Sequence, residues 1–199
     1  MKTRIIGLTG LAGSGKDLFF TLLSQKMNCK RYAFADELKR EAYDFVKNQY
    51  GIDLLLCSRE EKETIRPFLV THGAIKRKQT DGRYWIDKIT KTIDDSLLTD
   101  GGKTLYCVTD IRYNERERDE ASWLKNEMKG KLVHISKFST SFFGKKFIVP
   151  PNEEEARNDP SLKEISDYSL EWEHFQGGDK KVKEAAQRKV DDFITWINS

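Results

Sequence analysis

The chain has 199 residues, of which 38% are hydrophobic and 34% charged, a composition typical of a soluble globular protein with one domain over residues 1–199. Its 35 basic and 32 acidic residues leave a net charge of +3, so no overall field favours nucleic acid or a membrane surface. The three cysteines are widely spaced, which excludes a disulfide framework and a zinc site. The chain shows no apolar run of ~20 residues and no signal peptide before its first glycine-rich turn, and we therefore expect a cytoplasmic protein.

The first predicted elements are a strand, a glycine-rich turn and a helix. Residues 3–9 form an apolar run, and residues 15–27 show the apolar periodicity of a helix. The turn between them reads Gly10-Leu-Ala-Gly-Ser-Gly-Lys16, the G-x-x-x-x-G-K phosphate-binding pattern in the strand–loop–helix setting that it requires. Loop N–H groups and the helix N-terminus face a phosphate in such a turn, and the lysine reaches the β- and γ-phosphates. The residues predicted to bind ATP are Gly10, Ala12, Gly13, Ser14, Gly15, Lys16 and Asp17.

The residue after the lysine departs from this pattern, because Asp17 stands where Ser or Thr is usual. A carboxylate at this position is able to ligate Mg²⁺ or to hold a water bound to the metal. It also lies in the first turn of the helix, where the helix dipole favours a negative charge. Asp17 is therefore a candidate magnesium ligand, with stabilisation of the helix as the alternative.

Strands and helices alternate along the rest of the chain. A strand at 30–34 precedes a helix capped by Asp36 and ended by Gly51, and the next helix has a Ser58–Glu61 capping box, with Pro67 near its start or at a kink. A basic turn-like segment at 76–83 then leads into a helix at 83–98. The remaining predicted elements are a strand at 103–109, a helix at 115–128, a strand at 131–136, an excursion or lid at 138–162, a strand at 167–172 and a helix at 180–197. This alternation predicts an α/β fold with a mostly parallel sheet flanked by helices. The carboxyl ends of its strands should share one edge, where ligands bind.

The strand at 103–109 leads into a second polar motif, Asp110-Ile-Arg112-Tyr-Asn-Glu115. An acid at the end of a buried strand in a phosphate-loop protein commonly serves Mg²⁺, directly or through water, although aspartate also caps helices. Arg112 would overhang the same edge, where its planar fork suits a phosphate; a structural salt bridge to Glu115 or Glu117 is the alternative. Lys16, Arg112 and Asp110 are the candidate catalytic residues, and Asp110 is also a candidate metal ligand.

Further residues are candidates for binding a second substrate. Basic side chains are able to hold a phosphate, and aromatic rings are able to stack on a base. The candidates beside Arg112 are Phe34, Asp36, Lys39, Arg66, Arg77 and Trp85. A solvated surface position for the charges and core packing for the aromatic rings are the alternatives.

Together these motifs resemble the deoxynucleoside monophosphate kinases of tailed bacteriophages and their bacterial relatives. The matching stretches are the loop Gly10–Asp17 with its aspartate, Phe34-Ala-Asp-Glu-Leu-Lys39, Arg66-Pro-Phe-Leu followed by Gly73, Arg77 and Tyr84-Trp85, Asp110-Ile-Arg-Tyr-Asn-Glu115, and Asp167-Tyr-Ser-Leu-Glu. The chain departs from that family at Ala74-Ile75, where a Thr-Glu pair is expected, and this departure bears on specificity for the base or sugar.

The resemblance implies an adenylate-kinase-like P-loop fold and transfer of the γ-phosphoryl group of ATP to a deoxynucleoside 5′-monophosphate. It implies that Lys16 and the loop hold ATP and that Asp17 and Asp110 help to hold Mg²⁺. It assigns the acceptor phosphate or the transition state to Arg66, Arg77 and Arg112, and it implies a mobile lid and a homodimer. The segment 138–162 does not align with that family, and residues 138–157, with Lys145, Lys146 and Arg157, are our candidate for the lid.

Two other functions stay open from the sequence, and so does a degenerate family member that binds nucleotides but lacks activity. A dephospho-coenzyme A kinase shares the Gly-Leu-Thr-Gly-x-x-Gly-Ser-Gly-Lys start of this chain. A nucleotide-binding ATPase would hydrolyse ATP without a nucleotide acceptor, although the near-neutral charge disfavours the basic face that such proteins use on DNA.

Overall fold

The computed structural model describes residues 4–100, 102–174 and 180–199. Within them, a six-stranded sheet carries helices on both faces. The strands are β1 (Ile5–Thr9), β2 (Cys29–Tyr32), β3 (Leu105–Val108), β4 (Lys131–Ser141), β5 (Gly144–Phe147) and β6 (Tyr168–Glu173). The helices are α1 (Lys16–Ser24), α2 (Phe34–Tyr50), α3 (Arg59–Gln79), α4 (Arg83–Thr99), α5 (Glu120–Ser122) with a π-helical continuation over Trp123–Glu127, α6 (Glu153–Glu164) and α7 (Lys180–Asn198).

The sheet is parallel except for one strand. β2, β3, β1 and β4 pair in that order, all in parallel, and β6 pairs in parallel with β4. β5 is antiparallel to the second half of β4 and forms a hairpin with it. β1 therefore lies between β3 and β4, so the loop that follows β1 leaves the sheet at the carboxyl edge of its neighbours. This arrangement confirms the predicted three-layer α/β fold with a mostly parallel sheet flanked by helices.

Alternating side chains of the strands form two apolar cores, one on each face of the sheet. Leu8 of β1 belongs to the cluster that includes Phe19 of α1 and Phe193 of α7. Ile5 belongs to the opposite cluster, which contains residues of α2 and α4. Burial on both faces explains why β1 and β3 are continuous apolar runs and show no polar alternation.

Several predicted boundaries are wrong in detail. α2 begins at Phe34 and not after Asp36, because Asp110 caps it from the end of β3. α3 extends to Gln79 and takes in most of the basic segment that the sequence predicted as a turn. Pro67 lies well inside α3, not near its start. The Ser58–Glu61 capping box is confirmed by both of its reciprocal hydrogen bonds, of 2.7 and 3.2 Å.

A further predicted helix also differs from the structure. The predicted helix at 115–128 begins only at Glu120 and soon becomes π-helical, because a hydrogen bond from Met128 N–H to Trp123 O widens its last turn. The segment at 138–162 is regular: it contains the end of β4, the β5 hairpin strand and α6. Of the predicted strand at 3–9, position 3 lies outside the described residues. Among the helices that the structure describes, none has the length and apolar content needed to cross a membrane.

Candidate active site

The glycine-rich loop between β1 and α1 is held in place by the sheet beneath it. Gly10 has a φ of 123°, and a Cβ there would lie 2.1 Å from the carbonyl oxygen of Ile135 on β4. Gly15 has a φ of 100°, and a Cβ there would lie 2.7 Å from Nε1 of Trp172 on β6. The same indole N–H donates a hydrogen bond of 2.6 Å to the Ser14 carbonyl oxygen. Only glycine therefore fits at these two positions, because the loop must approach the sheet closely in a left-handed conformation.

Lys16 begins α1 and turns its side chain back over the loop. Its Nζ donates hydrogen bonds of 2.5 Å to Gly10 O and 3.0 Å to Leu11 O. Burial and the positive charge of Arg112 lower the pKa of Lys16, and nearby carboxylates partly offset this shift. The ammonium group thus lies at the mouth of the loop, where a phosphate-binding lysine is required.

The loop after β3 brings Asp110 and Arg112 to the same edge of the sheet. The two carboxylate oxygens of Asp110 accept hydrogen bonds of 2.9 Å from the N–H groups of Phe34 and Ala35. Asp110 thus caps α2, which is the alternative role that its residue type allowed. Burial raises the pKa of Asp110 even though these two N–H groups favour its charged form.

Arg112 has a side chain that is 57% exposed. Its backbone is held by Glu120, whose carboxylate accepts hydrogen bonds of 2.7 Å from Arg112 N–H and 3.3 Å from Tyr113 N–H. Glu120 is buried, and this burial raises its pKa to about 8. The loop is therefore anchored while the Arg112 side chain stays accessible to a ligand.

α6 covers the loop from the other side and supplies residues that the sequence analysis missed. Glu155 accepts a hydrogen bond of 2.7 Å from Ala12 N–H, and it lies 3.9 Å from Arg112. Asn158 is buried with its Nδ2 atom unpaired among the described residues, and Thr9 has an unpaired buried Oγ1. The local signal for α6 was Asn152 with Glu155 three residues later, a pattern typical of a helix N-terminus, but the polar run that follows reads equally well as a surface loop.

Several of these residues line a small, open cavity at the carboxyl edge of the sheet. The residues that line it are Thr9, Gly10, Leu11, Ala12, Lys16, Ile111, Arg112, Glu155, Asn158, Asp159 and Leu162. Lys16 and Arg112 are the cations among them, Glu155 and Asp159 are the anions, and the loop N–H groups and Asn158 are further donors. The cations and N–H donors suit a phosphoryl group, because charge-assisted hydrogen bonds to phosphate oxygens are the strong ones.

Other predicted substrate-binding residues lie away from this cavity. Arg77 is held by two hydrogen bonds of 2.7 and 2.8 Å to the fully buried Asp119, and its guanidinium lies 3.6 Å above the Tyr113 ring. Arg66 is exposed on α3 and pairs with Glu63 at 2.8 Å. Both arginines therefore already have partners in the structure.

The remaining predicted residues lie in or near α2 and α4. Phe34 and Trp85 are buried; Phe34 packs edge-to-face on Trp123, and Trp85 Nε1 donates a hydrogen bond of 3.1 Å to Gly73 O. Asp36 pairs with Arg31 at 2.6 Å, and Lys39 lies 3.8 Å from it. The two aromatic rings belong to the core, whereas the two charged side chains lie near the start of α2.

A bound magnesium ion would have few protein ligands at this site. The described residues contain no group of three or more His, Cys, Asp or Glu side chains that could hold a metal ion. Mg²⁺ commonly takes one or two carboxylates together with substrate phosphates and waters. The carboxylate of Asp17 is exposed next to Lys16 and is free to supply one such ligand, whereas the oxygens of Asp110 already accept two N–H groups. Neither residue is among those that line the cavity.

Comparison with known proteins adds little to this picture. The sequence matches no protein-family model and no curated protein. TT1252 from Thermus thermophilus is similar in structure at 14% identity and a TM-score of 0.44, with 96% of this chain and 98% of that chain covered. A shikimate kinase from Acinetobacter baumannii in complex with shikimate is similar at 13% identity and a TM-score of 0.42, with 98% and 94% covered. Scores at this level do not bear on substrate or activity.

Proposed function

We propose that the protein is an ATP-dependent phosphotransferase that moves the γ-phosphoryl group of ATP to a deoxynucleoside 5′-monophosphate. The observation that carries this proposal is the convergence of Lys16 and Arg112 on one cavity that residues of the glycine-rich loop also line. Phosphoryl transfer is promoted mainly by positioning and by electrostatic stabilisation of the transferred group. A cavity lined by loop N–H groups and two cations supplies both effects.

The loop and Lys16 would bind the phosphates of ATP. Lys16 Nζ has only to exchange its bonds to Gly10 O and Leu11 O for bonds to phosphate oxygens. Mg²⁺ would be held by Asp17 and, through water, by Asp110, and when bound it would neutralise charge on the β- and γ-phosphates.

Arg112 is the arginine best suited to the acceptor phosphate or to the transferred group. Its guanidinium is exposed at the cavity, whereas Arg77 is engaged with Asp119. An acceptor that is already a phosphate needs no strong general base, and Lys16 and Arg112 supply positive charge at the cavity for the transferred group. The choice of a deoxynucleoside monophosphate is supported by the sequence resemblance, above all by the loop with Asp17 and the motif from Asp110 to Glu115.

A panel of acceptors tests the proposal. Purified protein is incubated with ATP and Mg²⁺ and with each deoxynucleoside monophosphate, each ribonucleoside monophosphate or dephospho-coenzyme A, and both ADP and the phosphorylated acceptor are quantified. The proposal predicts equal amounts of ADP and of at least one deoxynucleoside diphosphate. The matched control is Lys16→Ala, which should abolish both products and leave the circular dichroism spectrum unchanged.

Other outcomes would contradict the proposal and select an alternative. Turnover with dephospho-coenzyme A alone would identify that compound as the acceptor. Release of ADP and free phosphate without any phosphorylated acceptor, and stimulated by DNA, would indicate an ATPase.

A further inference from the structure

Glu155 lines the cavity and binds a backbone N–H group of the glycine-rich loop. Its carboxylate accepts the Ala12 N–H at 2.7 Å, and its side chain is only 15% exposed. The start of α6 directs it there, because the Asn152 side chain caps the helix and accepts the Glu155 N–H at 2.8 Å. The contact joins residues 143 positions apart and is therefore a feature of the tertiary structure.

The groups around Glu155 are those that the proposed function assigns to phosphate. Arg112 Nη1 lies 3.9 Å from one carboxylate oxygen, and the negative charge of Glu155 raises the pKa of Lys16, in opposition to burial. A carboxylate has the charge sign and the acceptor atoms of a phosphate oxygen pair. Glu155 and a nucleotide phosphate would therefore use the same donors.

Neighbouring contacts hold α6 against the loop. Glu154 accepts the hydroxyl of Tyr113, Arg157 pairs with Glu115 at 2.8 Å, and Asp159 lies 3.1 Å from His134. These contacts flank Glu155 along the helix, so the carboxylate is presented to the loop as part of an ordered element.

We propose that Glu155 is an internal competitor of the nucleotide: it fills the phosphate site of the free protein and must leave Ala12 before a phosphate binds. This inference rests on the proposed function only in that the site binds a nucleotide phosphate. The exchange favours the ligand, because a phosphate brings oxygen atoms for donors that Glu155 does not satisfy. The buried Asn158 Nδ2 and Thr9 Oγ1 have no partner among the described residues, and both residues line the same cavity.

The physical consequence is a lowered apparent affinity. A ligand that binds only the fraction of molecules with an open site has its affinity reduced by that fraction. Removing Glu155 should therefore tighten nucleotide binding, typically by about fivefold or more for a coupling of this kind. A role of Glu155 as a ligand of Mg²⁺ or of substrate would give the opposite result.

Calorimetric titration of ADP and ATP into four proteins tests this inference. The proteins are the wild type, Glu155→Gln, Glu155→Ala and the control Glu153→Gln. Glu153 is exposed in the same first turn of α6, so its substitution makes the same change of charge without the loop contact. We expect the dissociation constant to fall in the order wild type, Glu155→Gln, Glu155→Ala, because glutamine keeps a hydrogen-bond acceptor and alanine does not. Glu153→Gln should stay within about twofold of the wild type, since an exposed charge is largely screened.

A second measurement separates competition from a general effect of charge. In the nucleotide-free proteins, the Ala12 amide should be protected from hydrogen exchange in the wild type and in Glu153→Gln, and unprotected in Glu155→Ala. Equal affinities for Glu155→Ala and Glu153→Gln, weaker binding by Glu155→Ala, or equal Ala12 protection in all proteins would overturn the inference. Phosphoryl transfer is assayed separately. Tighter nucleotide binding by Glu155→Ala, with no phosphoryl transfer by any of the proteins, would overturn the proposed function but would still support Glu155 as a competitor of the nucleotide.

Discussion

Replacing Arg77 with alanine is expected to destabilise the fold much more than it affects the chemistry. The guanidinium makes two hydrogen bonds, of 2.7 and 2.8 Å, to Asp119, whose side chain is fully buried. In the variant, the Asp119 carboxylate stays in the interior and keeps the Glu115 N–H at 3.1 Å, but it loses its cation. Removing one partner of a buried ion pair costs about 3–5 kcal/mol. In a chain of this size, this cost corresponds to a fall in Tm of about 6–20 °C.

Arg66→Ala is the matched control, because Arg66 lies on the same helix and pairs with Glu63 where both side chains are more than half exposed. An exposed pair contributes at most about 1 kcal/mol. Urea denaturation followed by circular dichroism gives the unfolding free energy of the wild type and both variants, and the acceptor KM is measured below the transition of Arg77→Ala. The reasoning is refuted if the two variants are equally stable and Arg77→Ala instead raises the acceptor KM, because Arg77 would then be the substrate ligand that the resemblance implies.

Three further predictions concern residues around the loop. Burial raises the pKa of Glu120 to about 8 from an ordinary 4.5. Between pH 4.5 and about pH 8, the native state therefore keeps a proton on Glu120 that the unfolded state has lost, and the free energy of unfolding should fall as the pH rises through this range. Glu120→Gln should flatten that decline in urea titrations at several pH values, and an unchanged slope would contradict the assignment. Arg112→Lys should lower kcat/KM by about tenfold without loss of stability, because the planar fork is lost; unchanged steady-state kinetics would count against this role. Trp172→Phe removes the 2.6 Å hydrogen bond to Ser14 O. It should weaken ATP binding and lower the free energy of unfolding by about 1 kcal/mol, as measured by urea denaturation. A variant that binds ATP and unfolds like the wild type would exclude a supporting role for the indole.

Features that depend on neighbouring residues were predictable from the sequence. The strand, loop and helix around Gly10 and Lys16 follow from local apolar pattern and glycine spacing, and the Ser58–Glu61 capping box follows from two residues three positions apart. The common edge for the loop and Asp110 follows from the rules for parallel sheets. Each of these inferences uses a short stretch of chain or a general rule of topology.

Features that depend on distant pairs were not predictable. Asp110 caps α2 across 75 to 76 positions, and Arg77 meets Asp119 across 42 positions. The residue types permit these contacts, but many other charged pairs in a chain with 34% charged residues are permitted equally well. The sequence therefore assigned Arg77 to the substrate by resemblance, while the fold gives its guanidinium a buried partner.

α6 shows the same limit in the candidate site itself. Its first turn contains three glutamates, and its interior contains Pro160, so the local pattern resembles a solvated loop. Only the folded chain brings Glu155 to Ala12 and Asn158 into the cavity. A polar stretch thus becomes one wall of the site because β4 and the β5 hairpin carry it back over the loop.

Transfer of label from γ-radiolabelled ATP to a deoxynucleoside monophosphate, in the presence of Mg²⁺, tests the central claim most directly. The proposed function predicts that wild-type protein moves the label into the deoxynucleoside diphosphate and that folded Lys16→Ala does not. Label found only in free phosphate, or only in a product of dephospho-coenzyme A, would contradict the claim.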